Sequence, residues 1–269
     1  MPRAGLKTEA DDATGCGKFI RKGDADCEHC SLRGSTLFAD IGNELGQLAT
    51  KICSGVLRRG AVIYSAKDPG NDVFTIRVGL VKLVMDVPGR EGRIVRLLGR
   101  GAALGLETLT GSPYDHTATT LRTTSLCRIP IPTVERLHAR NPDLLYGLMA
   151  KWHEQVMGAD QCIAILGSGP VPQRLANLVR LLVDIGGDPL DEVQLPQVAE
   201  IAAVLGVSHE SASRHLAELK RRGLLVRVAP HTYRCDPGLF LVKTDGAPPP
   251  QTDSGEHSSS ATTGAVGAP

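Results

Sequence analysis

No stretch of this chain approaches the roughly 18 to 20 consecutive apolar residues that a membrane-spanning helix needs. Its first dozen residues carry Arg3, Lys7, Glu9, Asp11 and Asp12 with no apolar core behind them. A cytoplasmic protein with no membrane partner is the expectation. Nor is one sign of charge in excess: 30 Lys+Arg face 29 Asp+Glu, a formal net charge of +1. That balance argues against a protein that coats nucleic acid all over, although it can hide a local basic patch. Aromatics are few, with four Phe, four Tyr and one Trp in 269 residues, yet 42% hydrophobic residues indicate folded domains and not a disordered chain. A dinucleotide fingerprint, a phosphate loop and a nucleophile–base pair at a recognised spacing are all missing, so the chain does not read as an enzyme. What it does have is seven cysteines. An odd count without an export signal fits a reducing compartment, where thiols serve as metal ligands, redox sensors or buried filler and not as a disulfide framework.

The first 36 residues show neither helical nor strand periodicity and hold Cys16, Cys27 and Cys30. From Ala61 short apolar runs alternate with glycine turns (AVIYSA, VFTIRVGLVKLVMDV, PGREGRIVRLLG, HTATTLRT, SLCRIPI), which predicts an antiparallel barrel or roll. In the following segment Leu145, Met149, Trp152, Val156, Ala159, Ile163 and Leu166 recur at alternating steps of four and three, a heptad seam. Such a stripe belongs either to a helix packed on the roll or to a self-associating one, and its narrowness favours self-association. Gly167, Gly169, Pro170 and Pro172 form a candidate hinge before the next helix, PQRLANLVRLLVDI. Residues 244–269 lack Lys and Arg and read as a disordered tail.

The segment LPQVAEIAAVLGVSHESASRHLAELKRRGLLVRV divides into two short helices joined at Gly206, with Ser208 placed to cap the second: a helix-turn-helix. On the second helix Ala212, Leu216 and Leu219 should face the core, leaving Glu210, Ser213, Arg214 and Ala217 outside. Arg can donate two bonds to guanine and a carboxylate can accept from cytosine, so these types suit major-groove reading. The plain alternative is a solvated Arg–Glu pair. From His209 to Cys235 six Lys+Arg stand against Glu210 and Glu218, a local excess of four positive charges. LLVRVAPHTYRC reads as the two strands of a wing, and Lys220, Arg221 and Arg222 are placed for phosphates, where they add affinity but no sequence choice.

In that order, a glycine-punctuated roll, a long helix and a winged helix-turn-helix resemble the CRP/FNR superfamily of bacterial transcription regulators. RRGAVIYSAKDPGNDVFTIRVGLVKL, SLCRIPIPTVERL and GVSHESASRHLAELKRRGLL carry the resemblance, which covers about residues 37–243. It implies an α+β fold comprising a Cys-rich segment (1–36), a cyclic-nucleotide-binding-like antiparallel β-roll (37–135), a dimerisation helix (136–169) and a C-terminal winged helix-turn-helix (170–243). The partners it implies are a second copy of the chain, palindromic double-stranded DNA and RNA polymerase. Glu210, Ser213 and Arg214 match the Glu-x-x-Ser-Arg pattern of the fumarate/nitrate reduction branch, implying TTGAT-type half-sites, with Ser208 and His209 beside them. His209 stands where the cyclic-AMP receptor carries another base-reading Arg. Asp115, His116 and Thr117 occupy the place where a cyclic-nucleotide site needs a phosphate-binding Arg, so cyclic AMP is not the expected ligand.

Cys27 and Cys30 form a C-x-x-C pair. Taken alone it fits a zinc half-site, a redox dithiol, a chance pair or part of a cluster site. The resemblance aligns Cys27, Cys30 and Cys127 with ligands of the [4Fe–4S] cluster of the oxygen-sensing branch, with Cys16 as the fourth and Cys53 or His29 as its substitutes. That set implies control by oxygen or nitric oxide. Haem, with His116 and Cys127 as ligands, and a bare thiol switch are the alternatives. Cys162 and Cys235 read as core filler. Where the branch carries an acidic residue in its dimer helix this chain has Ala159, with Asp160 one position away.

Overall fold

The computed structural model describes residues 52–87, 92–186 and 192–241, together with the backbone of 21–24. Cys16, Cys27, His29, Cys30 and the 244–269 tail therefore lie outside the described residues. Two antiparallel sheets form the roll. One has the order β1 (Arg21–Asp24), β2 (Cys53–Leu57), β9 (Thr124–Pro130), β4 (Asp72–Val78), β7 (Ala103–Leu104). The other runs β3 (Val62–Tyr64), β8 (Thr117–Thr120), β5 (Val81–Met85), β6 (Arg93–Leu98). Side chains that alternate inward, among them Leu57, Ile63, Phe74, Ile76, Leu83 and Leu126, fill the space between the sheets.

Five helices follow. α1 (Ile131–Arg140) begins with Pro132 in its first turn, where a missing N–H costs nothing, and ends before Asn141-Pro142. The Asp143 N–H donates to Asn141 Oδ1 at 3.1 Å in the turn that launches α2 (Leu144–Gly167). A reading that starts one helix at 136 misses this break. α3 (Val171–Gly186) follows the hinge, in which Gly169 holds a φ of +87°. α4 (Val198–Leu205), α5 (His209–Arg221) and the strands β11 (Leu225–Ala229) and β12 (Thr232–Cys235) complete the C-terminal domain. A strand the sequence did not disclose, β10 (Glu192–Gln194), pairs with β12, giving a three-stranded wing sheet of order β10-β12-β11.

The C-terminal domain packs on the roll. Leu80, Ile94, Leu97 and Leu121, on the outer side of the β5–β6 sheet, share one apolar core with Leu166, Leu175, Leu182 and Leu205. Glu200 accepts from Arg59 at 3.1 Å and from Lys82 at 3.3 Å, both on the roll, while also closing the capping box of α4. Arg174 donates to the Leu166 carbonyl at 2.6 Å and to that of Leu205, tying α3 to the end of α2 and to α4.

Candidate nucleic-acid interface and sensor face

The helix-turn-helix is built by local rules. Gly206 terminates α4 at a φ of +63°, a conformation costly for residues with a Cβ, and Val207 returns its N–H to the Ala202 carbonyl. Ser208 Oγ then accepts the Ser211 N–H at 3.2 Å and starts α5. Ala212, Leu216 and Leu219 are buried. Glu210, Ser213, Arg214 and Ala217 share the exposed side, as do Ser208 and His209 just before them. The helix thus shows solvent the face expected to read bases.

At the far end of α5 the basic side chains are exposed but engaged. Arg221 pairs with Glu218, Lys220 Nζ lies 4.6 Å from the centre of the Tyr233 ring, and Arg234 on the wing bonds Glu192 at 3.2 Å. Exposed pairs of this kind are worth about 0 to 1 kcal/mol, so a DNA phosphate can displace them. Arg221, seven residues on from Arg214, lies on the same side of the helix, and Arg222 closes it. The wing turns at His231, whose φ of +60° is uncommon for a side-chain-bearing residue.

One side of α2 faces its own chain. Leu144 and Leu148 join Ile129, Val134 and Leu137, and Gln155 Nε2 donates to the Ala103 carbonyl at 2.8 Å. On the other side Leu145, Met149, Trp152, Val156 and Ile163 are exposed, Ile163 at 71%, with Tyr146 and Met157 beside them. Contiguous exposed apolar side chains mark an association surface. Two expected seam members differ. Leu166 is only 6% exposed, drawn into the chain's own core where α3 crosses beneath it, and Ala159 is half-buried.

Of the proposed cluster ligands, Cys127 is described. Register puts it opposite Ser54 on one neighbouring strand and Thr75 on the other, so the three share one face of the sheet. That face is covered by the apolar cluster of Ile52, Leu106, Ile129, Val134 and Leu137. Within it the Thr75 hydroxyl is buried with no hydrogen-bond partner. β1 adds to the same sheet beyond β2, pairing Gly23 with Ser54 and Asp24 with Cys53. Adjacent strands lie about 4.8 Å apart, so this pairing brings the backbone that precedes Cys27 to within roughly 10 Å of the Cys127 strand. Cys53, the possible substitute ligand, behaves otherwise. It pairs with Arg128 and so points to the opposite face from Cys127. It is also disulfide-bonded.

Cys235 is buried in the C-terminal core, as core filler should be. Cys162 is half-buried against the same core, and burial pushes its thiol above the usual range. Burial, reinforced by Arg96, holds the His116 imidazole below its ordinary value. At the rim of the roll the Asp115 N–H donates to Glu107 Oε1 at 3.3 Å, which brings two carboxylates together. Inside the roll Tyr64 stacks on Tyr114 with centroids 3.9 Å apart and on Phe74 at 5.8 Å. Among the described residues no helix is long and apolar enough to cross a membrane, and no group of three or more His, Cys, Asp or Glu side chains could hold a metal.

A β-roll of the cyclic-nucleotide-binding kind, a long helix and a C-terminal winged helix-turn-helix make up this α+β fold, an architecture shared with DNA-binding transcription regulators. Residues 55–141 match the cyclic nucleotide-binding domain and residues 190–232 the MarR family. Among similar proteins, the transcriptional activator protein FnrA of Stutzerimonas stutzeri is 27% identical over 75% of this chain and 85% of its own length. The fumarate and nitrate reduction regulatory protein of Escherichia coli K12 is 24% identical over 74% and 82%. The solved structure of FixK2 from Bradyrhizobium japonicum superposes with a TM-score of 0.63 at 20% identity, covering 72% of this chain and 98% of that one. Over about three quarters of its length the chain is thus similar to transcription regulators of the fumarate and nitrate reduction kind.

Proposed function

We propose that the chain acts as a homodimer which reads a palindromic TTGAT-type promoter site and is switched by a thiolate-bound [4Fe–4S] cluster, as in the fumarate/nitrate reduction branch. The observation that carries the DNA half is the exposed Glu210–Ser213–Arg214 face of a capped helix whose other side is buried. Arg214 donates to guanine, Glu210 accepts from cytosine, and Lys220, Arg221 and Arg222 contact phosphates. The exposed apolar side of α2, from Leu145 through Met149, Trp152 and Val156 to Ile163, is the dimer seam. Two copies place their α5 helices in successive major grooves, about 34 Å apart, and present the rolls to RNA polymerase.

For the sensor, a half-buried Cys127 beside an unbonded Thr75 hydroxyl fits a cluster edge, because sulfur ligands gain from nearby donors and from an apolar shell. Cys27, Cys30 and Cys16 supply the remaining thiolates in the reduced chain, in which the Cys53 disulfide is open. Cys53 does not, since it faces away from Cys127. A cluster would provide oxygen- or nitric-oxide-labile iron, and the chain's part is to hold it between the N-terminal segment and the face that leads into α2. The carboxylates of Glu107 and Asp115 and the Tyr64–Tyr114 stack favour this reading over cyclic AMP.

Anaerobically purified protein is expected to contain about four irons and four sulfides per chain, to show a broad visible absorption that bleaches in air, and to lose promoter affinity as it bleaches. Iron-free protein with unchanged promoter affinity contradicts the cluster. The Cys53 disulfide favours a second reading, a thiol switch, in which Cys53→Ser protein would lose its response although Cys16, Cys27, Cys30 and Cys127 are intact.

A further inference from the structure

Glu200 sits where the helix-turn-helix meets the roll, and its carboxylate serves three donors. Oε2 accepts from Arg59 at 3.1 Å and from the Gln197 N–H at 3.0 Å, and Oε1 accepts from Lys82 at 3.3 Å. Arg59 comes from the turn between β2 and β3 and Lys82 from β5, so the first turn of α4 is fastened to the roll at two places. Side-chain exposures of 18% for Glu200, 21% for Lys82 and 33% for Arg59 withdraw the cluster partly from water, where salt screens it less than a surface pair. Among the described residues, the ion pairs that join the roll to the helix-turn-helix all converge on Glu200.

The joint between α2 and α3 is Ser168-Gly169-Pro170, with Gly169 at a φ of +87°. Across it Arg174 donates to the Leu166 carbonyl, and Asn177 Nδ2 to the Ile165 carbonyl at 3.0 Å, so the start of α3 is held to the end of α2 as a pivot. Beyond the pivot α4 carries the recognition helix with it, because Ile201, Leu205, Ala212 and Leu216 share one core. That core also meets Leu80, Ile94, Leu97 and Leu121 of the roll, but apolar contact is non-directional and lets one body roll on another. Charge-assisted hydrogen bonds have a defined geometry and resist such rolling.

We infer that Glu200 is a positioning residue for half-site spacing: by fixing the angle of the helix-turn-helix on its roll, it fixes the separation and rotation of the two α5 helices of a dimer. This rests on the reading that two copies bind inverted half-sites. One base pair added between the halves moves the second by about 3.4 Å along the duplex and turns it by roughly 35° about the axis. A recognition helix clamped in one direction does not follow that turn, whereas one free to roll on an apolar contact does. The dimer thus chooses bases with Glu210 and Arg214, and spacing through a carboxylate turned toward the roll.

Two measurements on the full chain test this. Without DNA, a water-soluble carbodiimide is expected to join Lys82 to Glu200 as an amide, located by peptide mass spectrometry; absence of that cross-link overturns the clamp. With DNA, fluorescence anisotropy compares the inverted repeat that wild-type protein selects with the same repeat lengthened by one central base pair. Wild-type protein is expected to bind the longer site at least about tenfold more weakly and Arg59→Gln/Lys82→Gln protein less than about threefold more weakly, with equal affinities for a duplex holding a single half-site. Both substituted residues lie on the roll, so the fold of the DNA-binding domain is untouched. Glu200→Gln should behave as the double variant does, because Gln keeps the capping box at this position and removes only the charge. A spacing ratio unchanged in both variants overturns the role in spacing. If wild-type protein selects no inverted repeat, the dimeric reading fails and the spacing role with it, while the cross-link still decides the clamp.

Discussion

The two ends of this regulator bring their functional residues together by different physics. In the DNA-binding domain Ser208, Glu210, Ser213 and Arg214 lie within one capped helix, and a period of 3.6 residues decides which of them face solvent. In the sensor half Ser54, Cys127 and Thr75 are far apart in the chain and meet only because β2, β9 and β4 pair in one register. Moving β9 by one residue would turn Cys127 from the α1-facing side to the roll interior. A recognition face is thus a local property, whereas a sensor face is a property of the whole sheet.

The two halves are coupled most strongly where they share a core. Leu205 of α4 is fully buried among residues from both. Leu205→Ala is expected to cost about 2 to 5 kcal/mol of stability. It should lower the denaturation midpoints of roll and C-terminal domain together, read by near- and far-ultraviolet circular dichroism. Midpoints that separate, with the roll unmoved, would show the domains to be energetically independent.

Next in size is the seam. Val156→Glu places a charge in an apolar interface of two copies, and is expected to weaken self-association at least about a hundredfold, or roughly 2.7 kcal/mol, without changing helix content. Sedimentation velocity decides this, and an unaltered dimer would send the search to another surface.

The recognition helix yields a smaller, sharper contrast. Arg214→Ala is expected to cost about 1 to 3 kcal/mol on the cognate site and relax choice at one base pair. Lys220→Ala should weaken all sequences alike and lower the salt slope by about one. Equal loss of specificity from both would remove the distinction between reading and phosphate-holding residues.

The smallest effect concerns His116. Burial lowers its folded-state affinity for protons beneath the unfolded value of about 6.5. The folded chain then binds fewer protons than the unfolded one, so this contribution is complete above that value and is lost as pH falls through the folded value. Wild-type stability should decline more steeply than that of His116→Asn between pH 7 and 5 in urea titrations. Parallel declines would place the titration elsewhere.

What could be read from sequence follows the same division. Ala212, Leu216 and Leu219 announce their burial by spacing alone, Ser208 and Gly206 mark the ends of their helices, and the glycine turns delimit most strands. β10 is legible only in hindsight, because three residues, Glu-Val-Gln, carry no period and are strand by virtue of pairing with β12. Leu166 fits the heptad by spacing, yet the turn at Gly167–Gly169 folds α3 back over it. The opposed faces of Cys53 and Cys127 depend on pairing between segments more than 70 residues apart, which no local pattern encodes.

The central claim, that the exposed face of α5 reads DNA for a two-fold dimer, is tested most directly by selecting bound duplexes from a randomised library with wild-type protein and with Arg214→Ala. Wild-type protein should enrich an inverted repeat of TTGAT-like halves, and the variant the same repeat with one position per half relaxed. Enrichment of no palindrome, or of an identical site by both proteins, would contradict it.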